Sequence, residues 1–171
     1  MPWADYAPGV LIRPATTSDA STIMEIYNRE VLETTHTFDL HPRTLDEQRR
    51  YIDDRSGGLV VLVAESDDGR VMGFGSISFY RDRPGYRTSV ENSVYVHPDH
   101  HRAGVGSALL AALIENARTH GFHAMFARIV DSQEASVNLH RRHGFEMVGV
   151  EREAGRKFNK FRDVTLMQLL L

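Results

Sequence analysis

The chain is expected to fold as a single mixed α/β domain, on three observations. Short apolar runs rich in β-type residues alternate with amphipathic stretches of helical period. The turn Asp68-Gly69 joins two such runs as a hairpin, so the middle strands are antiparallel. A helical stretch from Gly104 to about His120 separates the strands at Val94 and Phe126, and a crossover of that length allows a parallel pair.

The elements follow in order. Val10–Thr16 is the first strand. The next segment has Ser18 as its N-cap and Ile23, Ile26, Tyr27 and Val31 at helical spacing. Thr44–Arg55 is a second helix with a charged outer face. Leu59–Glu65 is a buried strand, and Val71–Tyr80 returns from the hairpin turn. After the loop "RDRPGYR" comes the strand Thr88–Val96. The helix from Gly104 places Leu109, Ala112, Leu113 and Ala117 on one face and ends at Gly121. His123–Val130 is a strand, "SQEASVNLHRRH" a short helix closed by Gly144, and "FEMVGV" and "DVTLMQLLL" are the last strands. The predicted order is β-α-α-β-β-β-α-β-α-β-β, over residues 10–171 behind a loose head at 1–9.

Composition narrows the function. A length of 171 residues suits one domain with a real core, and 42% apolar with 25% charged residues is ordinary for a globular protein. A net charge of −3 argues against nucleic-acid or acidic-membrane partners. With no cysteine there is no disulfide, thiolate metal site or cysteine nucleophile, which fits a reducing compartment. The start "MPWADYAPGV" lacks the blocks of a signal peptide, and no apolar run is long enough to cross a bilayer, so a cytoplasmic location is expected.

The informative stretch is "YVHPDHHRAGVGSALL", Tyr95–Leu110. Gly104 and Gly106 let the backbone curl and a ligand come close. The N–H groups near residues 102–107 would open at the positive end of the following helix, and Arg102 adds a cation, so a phosphate or diphosphate fits. A dinucleotide fingerprint needs glycine where Leu109 stands, and a P-loop needs a Lys after Gly106; both fail. The alternative is a turn whose glycines only satisfy geometry.

In its wider setting, strand, "HHRAGVG", long helix, strand, the chain resembles the GNAT superfamily of acetyl-CoA-dependent N-acetyltransferases. That family's signature, Gln/Arg-x-x-Gly-x-Gly/Ala, stands here as His101-Arg102-Ala103-Gly104-Val105-Gly106. More narrowly the chain is similar to phosphinothricin and methionine sulfoximine N-acetyltransferases. The matching stretches include "IYNREV", "HTF", "YRDRPGYRTSVENSVYVHPDHHRAGVGSALL", "EASVNLHRRHGF" and "GRKFNKFRDVTLMQ".

The resemblance implies a mostly antiparallel sheet with helices on both faces and a splayed central strand pair. It implies acetyl-CoA as co-substrate, with no metal, and its diphosphate on residues 102–107, Ser107 included. The pantetheine arm would run between Val94, Tyr95 and Val96 and the strand near Ala127–Ile129, with Gln133 and Ser136 contributing contacts. Gln133 stands where the family usually has Asn. A homodimer is also implied.

Acyl transfer to an amine needs a base for the ammonium, donors for the oxyanion and an acid for the leaving thiolate. Glu91 is the candidate base. Strict alternation puts it on one face of its strand with Ser93 and Tyr95, and Val90, Asn92, Val94 and Val96 on the other. The plain alternative is a solvated strand glutamate. His140, where many superfamily members carry Tyr, is the candidate acid; otherwise it is a packing histidine.

In "YRDRPGYR", Arg81 aligns with a basic position of the resembled enzymes, and the resemblance implies that it would meet an acceptor's acid group; Tyr86 and Phe38 are candidate pocket walls. Arg83 and Arg87 are read as surface charges. His97, His100 and His101 are not expected to share a metal because Pro98 and the turn spread them. Lys157, Lys160 and Arg162 are read as a solvated face, with Lys157 also a possible acceptor contact.

The leading function is acetyl transfer to the amino group of a small amino-acid analogue. The alternatives are another acceptor, such as a polyamine, an aminoglycoside or a peptide N-terminus, and a non-catalytic acyl-CoA sensor.

Overall fold

The computed structural model describes residues 8–171, which run β1 (Val10–Pro14), α1 (Ala20–Glu33), α2 (Leu45–Asp53), β2 (Val61–Ser66), β3 (Val71–Phe79), β4 (Ser89–Val96), α3 (Val105–Thr119), β5 (Ala124–Val130), α4 (Glu134–Arg142), β6 (Glu146–Lys157) and β7 (Lys160–Leu170). Residues 1–7 of the expected head lie outside the described residues. The element order is the one the sequence predicts. The strands form one seven-stranded sheet, β1-β2-β3-β4-β5-β7-β6, antiparallel except where β4 meets β5.

Both faces of the sheet are covered, which is why β2 reads as a continuous apolar run. Val61 and Val63 face one way and pack with Phe74 against Ile23, Ile26, Tyr27 and Val31 of α1 and Ile52 of α2. Leu62 and Ala64 face the other way, with Ile77 and Val90, against Leu109, Leu110, Leu113 and Ala117 of α3. The two clusters clamp β2, β3 and β4 at the centre of the sheet.

The start of α1 differs from the expectation at Ser18. The Asp19 carboxylate accepts the Thr16 N–H at 2.8 Å and is gripped by both terminal nitrogens of Arg13, at 2.8 and 2.9 Å. The same guanidinium reaches Glu65 of β2 through Nε at 2.8 Å. Arg13 therefore ties β1, β2 and the turn that leads into α1 together: Thr16 starts the short turn Thr17–Asp19 before the helix, and Asp19 closes a capping box by accepting from the Thr16 N–H.

The last hairpin is longer than the sequence suggests. The strands expected at "FEMVGV" and "DVTLMQLLL" extend to a turn at Phe158-Asn159, both with positive φ (51° and 59°). No glycine marks that turn, and β6 is an exposed edge strand with a bulge at Glu153, so its outer half lacks apolar alternation. Lys157 is also corrected: it is only 3% exposed and donates to the carbonyls of Thr37 (2.8 Å) and Glu30 (3.3 Å), pinning the hairpin tip to the loop after α1.

Burial alone would raise the pKa of Asp19; the hydrogen bonds from Arg13 and Thr16 bring it below the usual carboxylate range. A lowered folded pKa gives stability that is present above about pH 3.9 and lost as pH falls through the folded value. Arg13→Met should therefore cost about 1–3 kcal/mol in urea unfolding at pH 7, with the difference from wild type shrinking below about pH 4.

Candidate active site

β4 and β5 begin as a parallel pair and then part. Pairing runs Ser89↔Ala124, Val90↔Met125 and Glu91↔Phe126, and stops there. β4 stays on β3 as far as Val96, and β5 stays on β7 as far as Val130. The two strands thus diverge around a gap in which half of the amides and carbonyls of Asn92–Val96 have no strand partner. The side chain of Asn92 occupies the point of parting, its Nδ2 donating to Phe126 O at 3.0 Å.

The gap opens into a cleft of about 1010 Å³, lined by Glu91–Val96 on one side and Ala127–Val130 on the other. The wall continues through Gly104, Val105, Gly106 and Ser107. Here the chain curls as expected: Arg102 and Gly104 have φ of 65° and 81°, and α3 begins at Val105. Between the Ala108 N–H, donated to Gly104 O, and the His101 N–H, donated to Pro98 O, the amides of Gly104–Ser107 make no backbone bond among the described residues. They are free donors at the positive end of a helix, beside Arg102, which also lines the cleft. Ala103 completes the curl. The His101 ring turns back to Val96 O at 3.0 Å, and Ser107 Oγ meets His143 Nε2 at 2.8 Å.

Alternation on β4 is as predicted: Val90 is in the α3 core, and Tyr95 lies among Phe74 and Tyr27 on the α1 side. Glu91 and His140 therefore approach from opposite faces of the sheet, and the gap lets both line one cleft. The Glu91 pKa is raised, first by burial and then by Glu151, while Arg128 and Arg81 pull the other way. Arg128 is partly spent on Glu151, with Nη2 2.7 Å from Oε2. His140 is 4% exposed, its Nδ1 2.8 Å from Ser136 O and its Nε2 3.1 Å from Asn92 Oδ1. Burial pushes its pKa down, against the lift from the Ser136 carbonyl.

Gln133 and Ser136 line the cleft at the start of α4. At its other wall stand Tyr27, Glu30, His36, Thr37 and Phe38. Glu30 holds His36 at 2.7 Å, and Tyr27 donates to Asp39 at 2.5 Å. The Phe38 ring lies flat on Gly155 at the bulge of β6: a Cβ there would sit 2.3 Å from the ring. Arg81 and Tyr86 are not brought into the cleft. They line a separate hollow of about 540 Å³ with Phe79, Tyr80, Asp82 and Arg83, although the charge of Arg81 bears on Glu91. Among the described residues no three His, Cys, Asp or Glu side chains gather as a metal set; the rings of His97 and His100 are 5.9 Å apart.

Sequence reading passed over Asn92, Arg128, Gly155 and the Glu30–His36 pair as site residues. The spacing Glu91-Asn92 offered one signal, since a polar residue on the core-facing side of a buried strand needs a partner.

Comparison with known proteins agrees with this layout. The sequence profile of the Acetyltransferase (GNAT) domain matches residues 12–166. An L-methionine sulfoximine/L-methionine sulfone acetyltransferase of Pseudomonas aeruginosa is 42% identical over 94% of each chain. A phosphinothricin N-acetyltransferase of Streptomyces coelicolor is 38% identical over 91% of this chain and 92% of its own. An acetyltransferase of Salmonella typhimurium, solved with its cofactor acetyl-CoA, superposes with a TM-score of 0.91 at 39% identity, covering 95% of this chain and 94% of its own.

The electrostatics of Glu91 can be read directly. Its carboxyl should titrate above the ordinary glutamate value of about 4.3 when followed by carboxyl carbon NMR. Arg128→Met should raise the midpoint further, because it removes a favourable charge and frees Glu151 to repel.

Proposed function

Because the chain belongs to the acetyltransferase (GNAT) family and is an acetyl-CoA-dependent N-acetyltransferase, we propose that its acceptor is the α-amino group of a small amino-acid analogue of the methionine sulfoximine, methionine sulfone or phosphinothricin type. Glu91 is the base and His140 the acid. The observation that carries this reading is the parting of β4 and β5 at Glu91, which sets a carboxylate at the narrow end of a gap whose other end is the glycine curl. From Glu91 to Val96 is roughly 17 Å of strand, a span suited to an extended pantetheine arm.

The residues present fit acetyl-CoA. The free amides of Gly104–Ser107 and Arg102 would hold the diphosphate, and Val94–Val96 with Gln133 and Ser136 would flank the arm. The bound thioester supplies an electrophilic acetyl carbon. Glu91 takes a proton from the acceptor ammonium, directly or through water, so that the nitrogen lone pair can form the N–C bond. Unpaired amides on the edge of β4 are the donors for the oxygen as it gains charge. As the C–S bond breaks, His140 gives a proton to the sulfur. Burial acts on the two groups in opposite directions: it raises the Glu91 carboxyl, which makes it a stronger base, and lowers the His140 imidazole, which makes its N–H a readier proton donor once the ring is protonated.

The acceptor would lie against Phe38, with Thr37 and Tyr27 behind it, and its acid group toward Arg81 across the rim. Three arginines in "YRDRPGYR" oppose a polyamine. A non-catalytic sensor would gain nothing from a carboxylate held in a costly buried setting. The outward residues of β6, Met147, Val148 and Val150, are about half exposed, which supports pairing of two copies along this edge. Among the described residues no helix is long and apolar enough to cross a membrane.

Thiol release from acetyl-CoA, followed over amino-acid sulfoximines, sulfones, phosphinates, polyamines and peptides, should favour the first three groups. Turnover confined to peptides or polyamines contradicts the acceptor assignment. Glu91→Gln should lower kcat by about 10²–10⁴-fold while leaving the acetyl-CoA Kd within a few-fold of wild type. Gly155→Ala should displace the Phe38 ring and raise the acceptor KM with little change in acetyl-CoA affinity, as read by steady-state kinetics and calorimetry.

A further inference from the structure

Where β4 and β5 part, four polar groups stand in a line: the Phe126 carbonyl, the Asn92 amide, the His140 imidazole and the Ser136 carbonyl. Successive separations are 3.0, 3.1 and 2.8 Å. The two ends are backbone carbonyls, which only accept, and this fixes the direction of every bond between them. Asn92 Nδ2 donates to Phe126, so Asn92 Oδ1 is left facing His140 Nε2. Ser136 O requires a proton on Nδ1.

A neutral imidazole has one N–H and would face two acceptors. Whichever nitrogen carries the proton, lone pairs oppose each other at the other. Turning the Asn92 amide over moves the conflict to Phe126 without removing it. Asn92 and His140 are 5% and 4% exposed, so bulk water gives little relief. With a proton on both ring nitrogens, all four groups pair.

We propose that Asn92 is a positioning residue that fixes the His140 ring in the cleft wall and favours its doubly protonated form, with the acidic proton on Nε2. This rests on the assignment of His140 as the acid. Opposing influences are identifiable. Burial disfavours the charge, and so does His143 beyond the end of α4; the Ser136 carbonyl favours it. Position in the last turn of α4, at the negative end of the helix, also favours a cation. The Phe145 ring packs edge-on at 5.0 Å and brings no charge. On β4 the neighbouring carboxylate, Glu91, lies on the opposite face, and Arg141 of α4 is exposed. Asn92 Oδ1 is thus the acceptor that a substitution can remove without touching the helix.

The test is a nitrogen-15 NMR titration of the His140 ring in the protein without substrate, its signals assigned by their loss in His140→Gln. Asn92→Leu should lower the proton affinity of the ring at least tenfold, about one pH unit. Asn92→Asp, which keeps an acceptor and adds a charge, should raise the midpoint above wild type. Equal midpoints in wild type and Asn92→Leu overturn the proposal. If Asn92→Leu does not fold, a midpoint in Asn92→Asp at or below wild type overturns it. Since no substrate is present, the result stands apart from amine acetylation: an inactive protein can still show the shift, and an active one can fail to.

Discussion

Everything distinctive in this molecule depends on two neighbouring strands ceasing to pair. Each of β4 and β5 remains anchored on its outer side, β4 to β3 and β5 to β7, so the divergence costs only the bonds between them. Were they to zip up through Val96 and Val130, the cleft would vanish and the free amides of β4 would be consumed. Asn92 fills the fork, its side-chain amide donating to the carbonyl of Phe126, the last residue of β5 paired with β4. Further along, the His101 ring engages Val96 O, so both ends of the open edge are held by side chains.

A gap through a sheet also resolves a topological difficulty. Alternation sends Glu91 toward α1 and Asn92, with its partner His140, toward α4, so the proposed base and the proposed acid would ordinarily be separated by the sheet. The opening lets both border one space without sharing a face. It also keeps their electrostatics apart. Glu91 answers to Arg128, Arg81 and Glu151, whereas His140 answers to Ser136 and His143. Two titrating groups with different neighbours can hold different proton affinities in one site, as the roles proposed for them require.

The element order was legible because its signals are local: period-two runs, the Asp68-Gly69 turn, the glycine caps at 121 and 144. The positive φ at Gly104 and the free amides after it follow from residue type and the start of a helix. What the sequence hid was set by long-range packing. Thr16 and Asp19, held by Arg13, form the capping box ahead of α1 where Ser18 was expected as the cap, and no window of residues 10–20 contains Glu65, the other partner of Arg13. Lys157 looked solvated because its neighbours are charged, yet its two carbonyl partners come from residues 30 and 37. Gly155 gave no turn signal; its role lies in the Phe38 ring that crosses it. Arg81 and Tyr86 were placed at the acceptor by resemblance, and they form their own hollow beside the cleft.

The most direct test is a crystal structure of the protein with acetyl-CoA. The account predicts the diphosphate on the amides of residues 102–107 and the thioester between β4 and β5, within one water of the Glu91 carboxylate. A thioester lodged elsewhere, or β4 and β5 paired beyond Glu91 with the coenzyme on an outer surface, would contradict it.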